Sequence, residues 1–184
     1  MGRNRVIDRD KVLDAAEQVV AGQGAAGLTF EAVARAAGIT KGGVQSCFGT
    51  KDALIEAIFN RWGRSYDQVY DRMVARDPSG LGRVQAHVVA SSRSDKLANA
   101  KSASLTVALA LAGEHAADLR AWYRSRIEGL DLSDPASRRA LCRFLAVEGA
   151  FMLRYLELLD LTDEEWDGIF NDLSAGDPLG TAGE

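Results

Sequence analysis

Apolar residues recur at helical spacing along most of the chain. Between Asp8 and Gly24, apolar side chains at positions 12, 13, 16, 19 and 20 form one stripe of a helix that spans about 9–23. No segment alternates apolar and polar residues with the β-branched content of a strand, and only three prolines interrupt the chain. The pattern therefore predicts an all-α fold, with Asp8 as the N-cap of the first helix.

Capping residues predict two short helices next. Thr29 is suited to cap a helix that runs through Ala37, and Gly38 supplies the left-handed residue that ends it. Thr40 then starts a third helix that reaches Phe48. Two short helices joined in this way form a helix-turn-helix, whose second helix presents its early residues to a DNA major groove. The same pattern fits an αα-hairpin inside a helical bundle, so spacing alone leaves both interpretations open.

Longer helices follow. Thr50 opens a helix whose apolar spacing persists to Asp77-Pro78, roughly 37 Å at about 1.5 Å per residue, which suits a connector between two subdomains. Thr162 and the acidic residues after it form a capping box for the last helix. The other helices are expected at about 81–92, 95–111, 115–130 and 135–159, and the tail at 177–184 is expected to be flexible.

The composition is that of an ordinary soluble globular protein. The 184 residues are 47% hydrophobic and 26% charged. Cys47 and Cys142 lie far apart and no cluster of Cys and His occurs, so neither a disulfide scaffold nor a metal site is predicted. No apolar run approaches the ~20 residues of a membrane span, and the N-terminus lacks the apolar stretch of a signal peptide. We therefore expect a cytoplasmic protein with reduced thiols and no membrane contact.

The net charge of −4 is divided unevenly along the chain. Residues 1–64 hold nine basic and seven acidic side chains, whereas the remainder holds 13 basic and 19 acidic ones. No Lys or Arg follows Arg154. The basic front is compatible with phosphate contacts, while the acidic end should repel DNA.

Five segments near the start of the chain resemble the N-terminal domain of TetR-type transcriptional regulators. They are Val12-Leu13-Asp14-Ala15-Ala16, Gly24, Leu28-Thr29-Phe30-Glu31-Ala32-Val33-Ala34, Ala37-Gly38-Ile39-Thr40-Lys41-Gly42 and Phe48-Gly49-Thr50-Lys51-Asp52-Ala53-Leu54. The resemblance implies a DNA-binding domain at residues 1–50, a connecting helix at 51–76 and a ligand-binding and dimerisation domain at 77–176. It also implies a homodimer on a near-palindromic double-stranded DNA operator, and most often repression that a small-molecule effector relieves.

The resemblance assigns DNA contacts position by position. The residues expected to face the major groove are Lys41, Gly42, Gly43, Gln45 and Ser46. Those expected at phosphates are Thr29, Thr40 and Lys51, with Arg3 and Arg5 as an N-terminal arm.

The chain departs from the family pattern at two positions of the second short helix. Gln45 occupies a place where the family usually has a tyrosine, and Cys47 occupies one usually held by His or Tyr. The amide of Gln45 is suited instead to the edge of an adenine, a pairing worth ~1–3 kcal/mol of discrimination.

The resemblance also implies an effector pocket in the C-terminal two-thirds. The side chains suited to line it are Trp62, Tyr66, Trp122, Tyr123, Phe151, Met152 and Tyr155. For each of them the alternative is ordinary core packing. Glu148 interrupts an apolar run, and burying an unpaired carboxylate is costly. It therefore either pairs with an arginine such as Arg143 or Arg154, lies at a dimer rim, or faces the cavity and favours a cationic effector.

The last two helices carry more apolar residues than one buried face needs. The residues assigned to a dimer interface are Phe144, Leu156, Leu159, Trp166, Ile169 and Phe170. A two-fold dimer would set two recognition helices on successive major grooves.

Two other function classes compete with the regulator. A helical protein-interaction adaptor would use the helix-turn-helix only as a structural element. An enzyme is disfavoured because His87 and His115 are the only histidines, and no phosphate loop, zinc signature or Gly-x-Ser-x-Gly motif occurs. The sequence therefore predicts no catalytic residue, no metal and no cofactor.

Overall fold

The computed structural model describes residues 7–93, 95–112 and 116–175. These ranges contain α-helices and one short 3-10 turn and no strand, which confirms the all-α prediction. The helices are α1 Arg9–Gln23, α2 Phe30–Ala37, α3 Lys41–Phe48, α4 Lys51–Trp62, α5 Arg64–Val74, α6 Gly80–Arg93, α7 Lys96–Ala112, α8 Ala116–Arg126, α9 Pro135–Tyr155 and α10 Asp163–Ala175. Arg3, Arg5 and the predicted tail at 177–184 lie outside the described residues.

The predicted caps set the bounds of the first three helices. The Asp8 carboxylate accepts hydrogen bonds from the backbone N–H groups of Asp10 and Lys11 at 3.1 and 3.3 Å. The Thr29 hydroxyl accepts from the N–H of Ala32 at 3.1 Å. Gly38 adopts φ 65° and ψ 33°, the left-handed conformation in which glycine has no steric penalty. These local contacts confirm the caps expected from the sequence.

The prediction of a single connecting helix over 51–76 is wrong, because the chain forms two helices there. α4 ends at Trp62, Gly63 has φ −75° and ψ −5°, and α5 begins at Arg64. A Cβ at position 63 would lie 3.0 Å from the carbonyl oxygen of Phe59, a tight approach that glycine avoids. The apolar spacing continues through this point, so periodicity alone conceals the break.

Two other helices end earlier than predicted. α8 ends at Arg126, and the turn after it contains Gly129 at φ 84°. α9 ends at Tyr155, and Glu157 follows at φ 55°. The predicted capping box of α10 is confirmed, since the N–H of Thr162 donates to Glu165 at 2.7 Å and the N–H of Glu165 donates to the Thr162 hydroxyl at 3.3 Å.

The helices enclose two main hydrophobic cores. The first is formed by α1 to α4 and is completed by Leu105 and Leu109 of α7. The second lies between α6, α9 and α10, around Val84, Val88 and Val147. Because α7 contributes to the first core, the N-terminal helices are packed directly against the C-terminal part of the chain.

Three residues assigned to a dimer interface lie inside the chain's own second core. Phe144, Trp166 and Phe170 are only 5%, 4% and 3% exposed. They occupy the inward faces of α9 and α10, so the dimer assignment of these three is wrong. Leu156 is half-buried, whereas Leu159 and Ile169 are exposed.

Candidate nucleic-acid interface and effector groove

The helix-turn-helix holds α3 by its buried face. The Thr40 hydroxyl accepts from the N–H of Gly43 at 3.1 Å and caps the helix. Val44 is fully buried and Phe48 is buried against the same core. The opposite face of α3, which begins just after the cap, is therefore presented to solvent.

Four of the five residues expected in the major groove are on that exposed face. They are Lys41, Gly42, Gln45 and Ser46. Gly43 is buried, so its assignment to the groove is wrong. A Cβ at position 43 would lie 3.0 Å from Cδ1 of Ile7 and 3.4 Å from Cδ1 of Ile39, which gives this glycine a packing role.

The residues expected at phosphates stand at helix N-termini. Thr29 and Thr40 cap α2 and α3, and each hydroxyl keeps its hydrogen for an external acceptor because the oxygen is the atom used in the cap. Lys51 is half-buried in the first turn of α4. Partial positive charge at helix N-termini favours a neighbouring anion.

Two charged residues beside α3 were missed by sequence reasoning. Glu31 of α2 forms an ion pair with Lys41, with 2.5 Å between Oε1 and Nζ, and this contact lowers the pKa of Glu31. The Arg9 guanidinium lies 4.9 Å from the centre of the Phe48 ring, so a second cation stands close to α3. Neither contact follows from spacing within one helix, because each joins two helices.

Polar side chains from three helices meet in the C-terminal part of the molecule. His87 of α6 is 1% exposed. Its Nδ1 lies 2.9 Å from the Tyr66 hydroxyl, and its Nε2 lies 2.9 Å from Oε1 of Glu148. The Glu148 carboxylate also lies close enough to Tyr123 to raise the pKa of that phenol. Glu148 therefore lies against His87 instead of an arginine, and the cationic effector stays a prediction.

The protonation states of Tyr66 and Tyr123 follow from their surroundings. Burial raises the pKa of Tyr66, and burial together with the Glu148 carboxylate raises the pKa of Tyr123. Both phenols stay protonated at neutral pH. The Tyr66 hydroxyl is hydrogen-bonded to Nδ1 of His87 at 2.9 Å, whereas Nε2 of His87 lies 2.9 Å from Oε1 of Glu148 without making a hydrogen bond.

Replacing Glu148 with alanine is expected to lower the free energy of unfolding by about 1–3 kcal/mol, because the buried His87 loses the carboxylate that lies 2.9 Å from its Nε2. Glu148→Gln keeps an acceptor oxygen and is expected to cost less than about 1 kcal/mol. Urea unfolding of the two variants and the parent measures the difference. Equal losses in the two variants would show that the contact with His87 does not carry the effect.

The arginines considered as partners of Glu148 serve other contacts. Arg143 donates to the Gln85 side chain at 2.5 Å and to the carbonyl of Leu173 at 3.0 Å. Arg154 joins α9 to α10 through Asp163 at 2.7 Å and Asp167 at 3.0 Å. Both therefore tie α9 to the last helix.

An aromatic cage formed by Tyr66, Tyr70 and Trp122 holds a cation that belongs to the chain itself. The Arg126 guanidinium carbon lies 4.1 Å from the Tyr70 ring centre, 4.5 Å from that of Trp122 and 5.6 Å from that of Tyr66. Cations are attracted to aromatic faces at these distances. Tyr66 and Trp122 thus come together as the sequence suggested, but around an internal arginine.

The open groove of the C-terminal part has a volume of about 760 Å³ and lies between α8 and α9. Its lining residues are Arg120, Tyr123, Arg124, Ile127, Phe144, Leu145, Glu148, Gly149 and Met152. Three residues of the predicted pocket, Tyr123, Glu148 and Met152, are among them. The volume is within the range of small-molecule sites, ~300–1,000 Å³.

The other predicted pocket residues lie elsewhere. Trp62 is buried in the first core, where Phe59 packs edge-on against it. Phe151 stacks edge-on against Tyr155, and the Tyr155 hydroxyl accepts from Asn99 of α7 at 3.1 Å. None of these three residues lines the groove between α8 and α9.

An ionic cluster joins the N-terminal helices to α7. Lys101 of α7 lies 2.8 Å from Glu17 of α1, and Nε of Arg61 of α4 lies 3.2 Å from the same carboxylate. Arg61 also pairs with Asp14. Leu105 and Leu109 of α7 also pack into the first core, and Asn99 of α7 donates to the Tyr155 hydroxyl of α9, so α7 contacts both the N-terminal helices and α9.

Neither a metal site nor a membrane-spanning helix is found among the residues that the structure describes. Within residues 7–93, 95–112 and 116–175, no group of three or more His, Cys, Asp or Glu side chains is placed to hold a metal ion. None of the helices in these ranges combines the length and apolarity that crossing a membrane requires.

Two family models match the chain, in the order of its two parts. Residues 12–58 match the model described as bacterial regulatory proteins, tetR family. Residues 81–176 match the model described as the tetracyclin repressor-like C-terminal domain. No curated protein matches the chain significantly. The first match spans the helix-turn-helix, and the second spans the groove between α8 and α9.

Proposed function

The chain belongs to the TetR family, whose members are DNA-binding transcriptional regulators rather than enzymes, and from this premise we propose that it is a homodimeric repressor released by a small effector. We propose DNA binding by residues 1–50, connection by 51–76 through two helices instead of one, and ligand binding and dimerisation by 77–176. A regulator of this kind acts in the cytoplasm, where its DNA is.

The exposed face of α3 is the observation that carries the proposal. Lys41, Gln45 and Ser46 project from a helix whose other face is fixed by Val44 and Phe48. The amide of Gln45 is suited to an adenine edge, and the cation of Lys41 to a guanine edge or a phosphate. A fixed helix with outward donors is what direct readout in the major groove requires.

Control by an effector is supported by the connection between the two cores. Glu148 lines the groove between α8 and α9 and lies next to His87, which in turn contacts Tyr66 of α5. α5 continues through Gly63 into α4, which lies in the N-terminal core. A ligand that favours one arrangement of α8 and α9 would change the position of α3 through this route, which is a coupling between two sites.

A homodimer is supported by the exposed apolar stripe of α9. The residues of this stripe are Cys142, Leu145, Ala146, Gly149 and Leu153, with Ile169 exposed on neighbouring α10. They replace Phe144, Trp166 and Phe170 as the proposed contact surface. An exposed apolar face with small residues suits close packing against a second copy across a two-fold axis.

Fluorescence anisotropy tests the proposal. The protein is titrated onto labelled DNA from upstream of its own gene and onto unrelated DNA of equal length, across a salt series. We expect tighter binding to the upstream DNA and a steep loss of affinity with salt, because Lys and Arg release counterions from phosphates. Equal affinity for both DNAs, or no binding at low salt, would contradict the proposal and favour an adaptor.

A further inference from the structure

Two guanidinium groups stand in the wall of the groove between α8 and α9. Arg120 and Arg124 both line it, and both are exposed. They are four residues apart on α8, so they lie one helical turn from each other on the same face. Among the described residues neither forms an ion pair, whereas nearby Arg154 pairs with Asp163 and Asp167.

The rest of the groove is mainly apolar. The uncharged residues that line it are Tyr123, Ile127, Phe144, Leu145, Gly149 and Met152. Phe144 is also in contact with His87, whose ring centre is 4.6 Å away. An apolar body placed here would lose contact with water on several sides, which favours binding.

The charges that line the groove favour an anion over an organic cation. Arg126 already fills the aromatic cage of Tyr66, Tyr70 and Trp122, so that cage is not open to a cationic ligand. Arg120 and Arg124 line the groove together with one carboxylate, that of Glu148, so the charged side chains of the lining are net positive.

We propose that the groove binds a small organic acid with an apolar body, the carboxylate at Arg120 and Arg124 and the body against Tyr123, Phe144 and Met152. A carboxylate and a guanidinium form charge-assisted hydrogen bonds, and two guanidiniums one turn apart can share one anionic head. Glu148 sets the orientation, because its negative charge repels the acidic head from the inner wall. The role of this acid as an effector rests on the function proposed above, whereas its binding to the groove can be measured independently of that function.

Three ligands with one apolar body test the charge preference. Calorimetric titration of the full-length protein with phenylbutyrate, phenylbutanol and phenylbutylamine compares an acid, an alcohol and an amine. We expect the acid to bind roughly tenfold more tightly than the alcohol, and the amine to bind most weakly. Equal binding of all three, or tighter binding of the amine, would overturn the proposal.

Variants of the two arginines place the head group. Arg120→Gln with Arg124→Gln is expected to weaken phenylbutyrate binding roughly tenfold and to leave phenylbutanol unchanged. Arg64→Gln with Arg72→Gln removes the same two charges from the exposed surface of α5, outside the groove, and is the matched control. Because all four arginines are exposed, the melting temperatures should stay close to that of the parent, and an unchanged acid affinity in the Arg120 and Arg124 variant would overturn the assignment.

Leu145 and Gly149 belong both to this groove and to the proposed subunit contact, so a second copy of the chain is the other occupant that the groove could receive. Sedimentation of the Arg120 and Arg124 variant separates the two cases: an unchanged dimer supports the ligand site, whereas dissociation would show that Arg120 and Arg124 belong to the subunit contact and would overturn the proposal. DNA binding, measured in parallel without acid, tests the regulator separately. A protein that binds upstream DNA but not the acid would refute this inference alone.

Discussion

A protein in which Lys41 and Gln45 are both replaced by alanine is expected to lose specific operator binding, with the dissociation constant raised at least about 1,000-fold. Each good contact to a base edge contributes ~1–3 kcal/mol, and a two-fold dimer would use each residue twice. A factor of ten in affinity corresponds to about 1.4 kcal/mol. Lys41→Ala also leaves Glu31 without its cation on the DNA-facing side, which adds repulsion from phosphates.

The fold is expected to survive these two substitutions. Both side chains are exposed, and α3 is held by Val44, Phe48 and the Thr40 cap, none of which changes. Alanine is also a favourable residue in a helix. If the melting temperature is unchanged but the anisotropy of labelled DNA no longer rises, the defect lies in the contact with DNA and not in the fold.

A matched control removes the same residue types elsewhere. Gln68 of α5 and Lys96 of α7 are both exposed, and changing both to alanine removes one amide and one charge outside the DNA-binding helices. Lys96→Ala removes two exposed ion pairs, with Asp163 at 3.1 Å and with Asp167 at 3.6 Å, and exposed ion pairs contribute little to stability. We expect this control to bind DNA like the parent. If the variant of Lys41 and Gln45 binds DNA as tightly as the parent does, α3 is not part of the DNA interface.

Local signals predicted the N-terminal helices because each signal acts within a few residues of itself. Asp8, Thr29 and Thr40 accept hydrogen bonds from N–H groups two or three positions ahead, so the residues that decide a helix start are adjacent in the sequence. The same reasoning explains the capping box before α10. These features require no knowledge of the tertiary structure.

The candidate effector site could not be predicted in the same way, because its contacts join distant helices. Glu148 meets His87, which is far away in the sequence, and Tyr66 meets both His87 and Arg126. Helical spacing shows that Phe144 has an apolar environment, but it does not show whether another copy or the chain itself supplies it. The structure assigns Phe144 to the chain's own core and leaves the next position, Leu145, exposed.

The Gly63 break shows a third kind of limit. Apolar spacing continues on both sides of Gly63, so the pattern predicts one helix where the chain forms two. Glycine weakens a helix by about 1 kcal/mol relative to alanine, but whether the helix stops there depends on what the two halves pack against. α4 lies in the N-terminal core, whereas α5 packs with α6 through Tyr70 and Ala86. The two halves therefore belong to different parts of the molecule.

Replacing Leu153 with arginine is expected to dissociate the proposed dimer, with its dissociation constant raised at least about 100-fold. Leu153 is 39% exposed on the stripe of α9 and does not line the groove between α8 and α9. Removing a buried leucine from an interface costs ~1.5–3 kcal/mol, and a two-fold axis repeats the change in both copies. Burying an unpaired arginine adds a desolvation cost. Analytical ultracentrifugation over a concentration series measures the effect.

Leu97→Arg is the matched control for this change. Leu97 is 66% exposed on α7, outside α9 and α10, so the same substitution there should leave the association unchanged. The exposed thiol of Cys142 gives a second reading, because it lies on the α9 stripe and should be alkylated faster once the dimer dissociates. Loss of the dimer should also weaken operator binding, since one recognition helix then reads one half-site without its partner. A Leu153→Arg protein that sediments as the parent does would place the subunit contact on another face, and the acidic surface of α10 would then be the next to change.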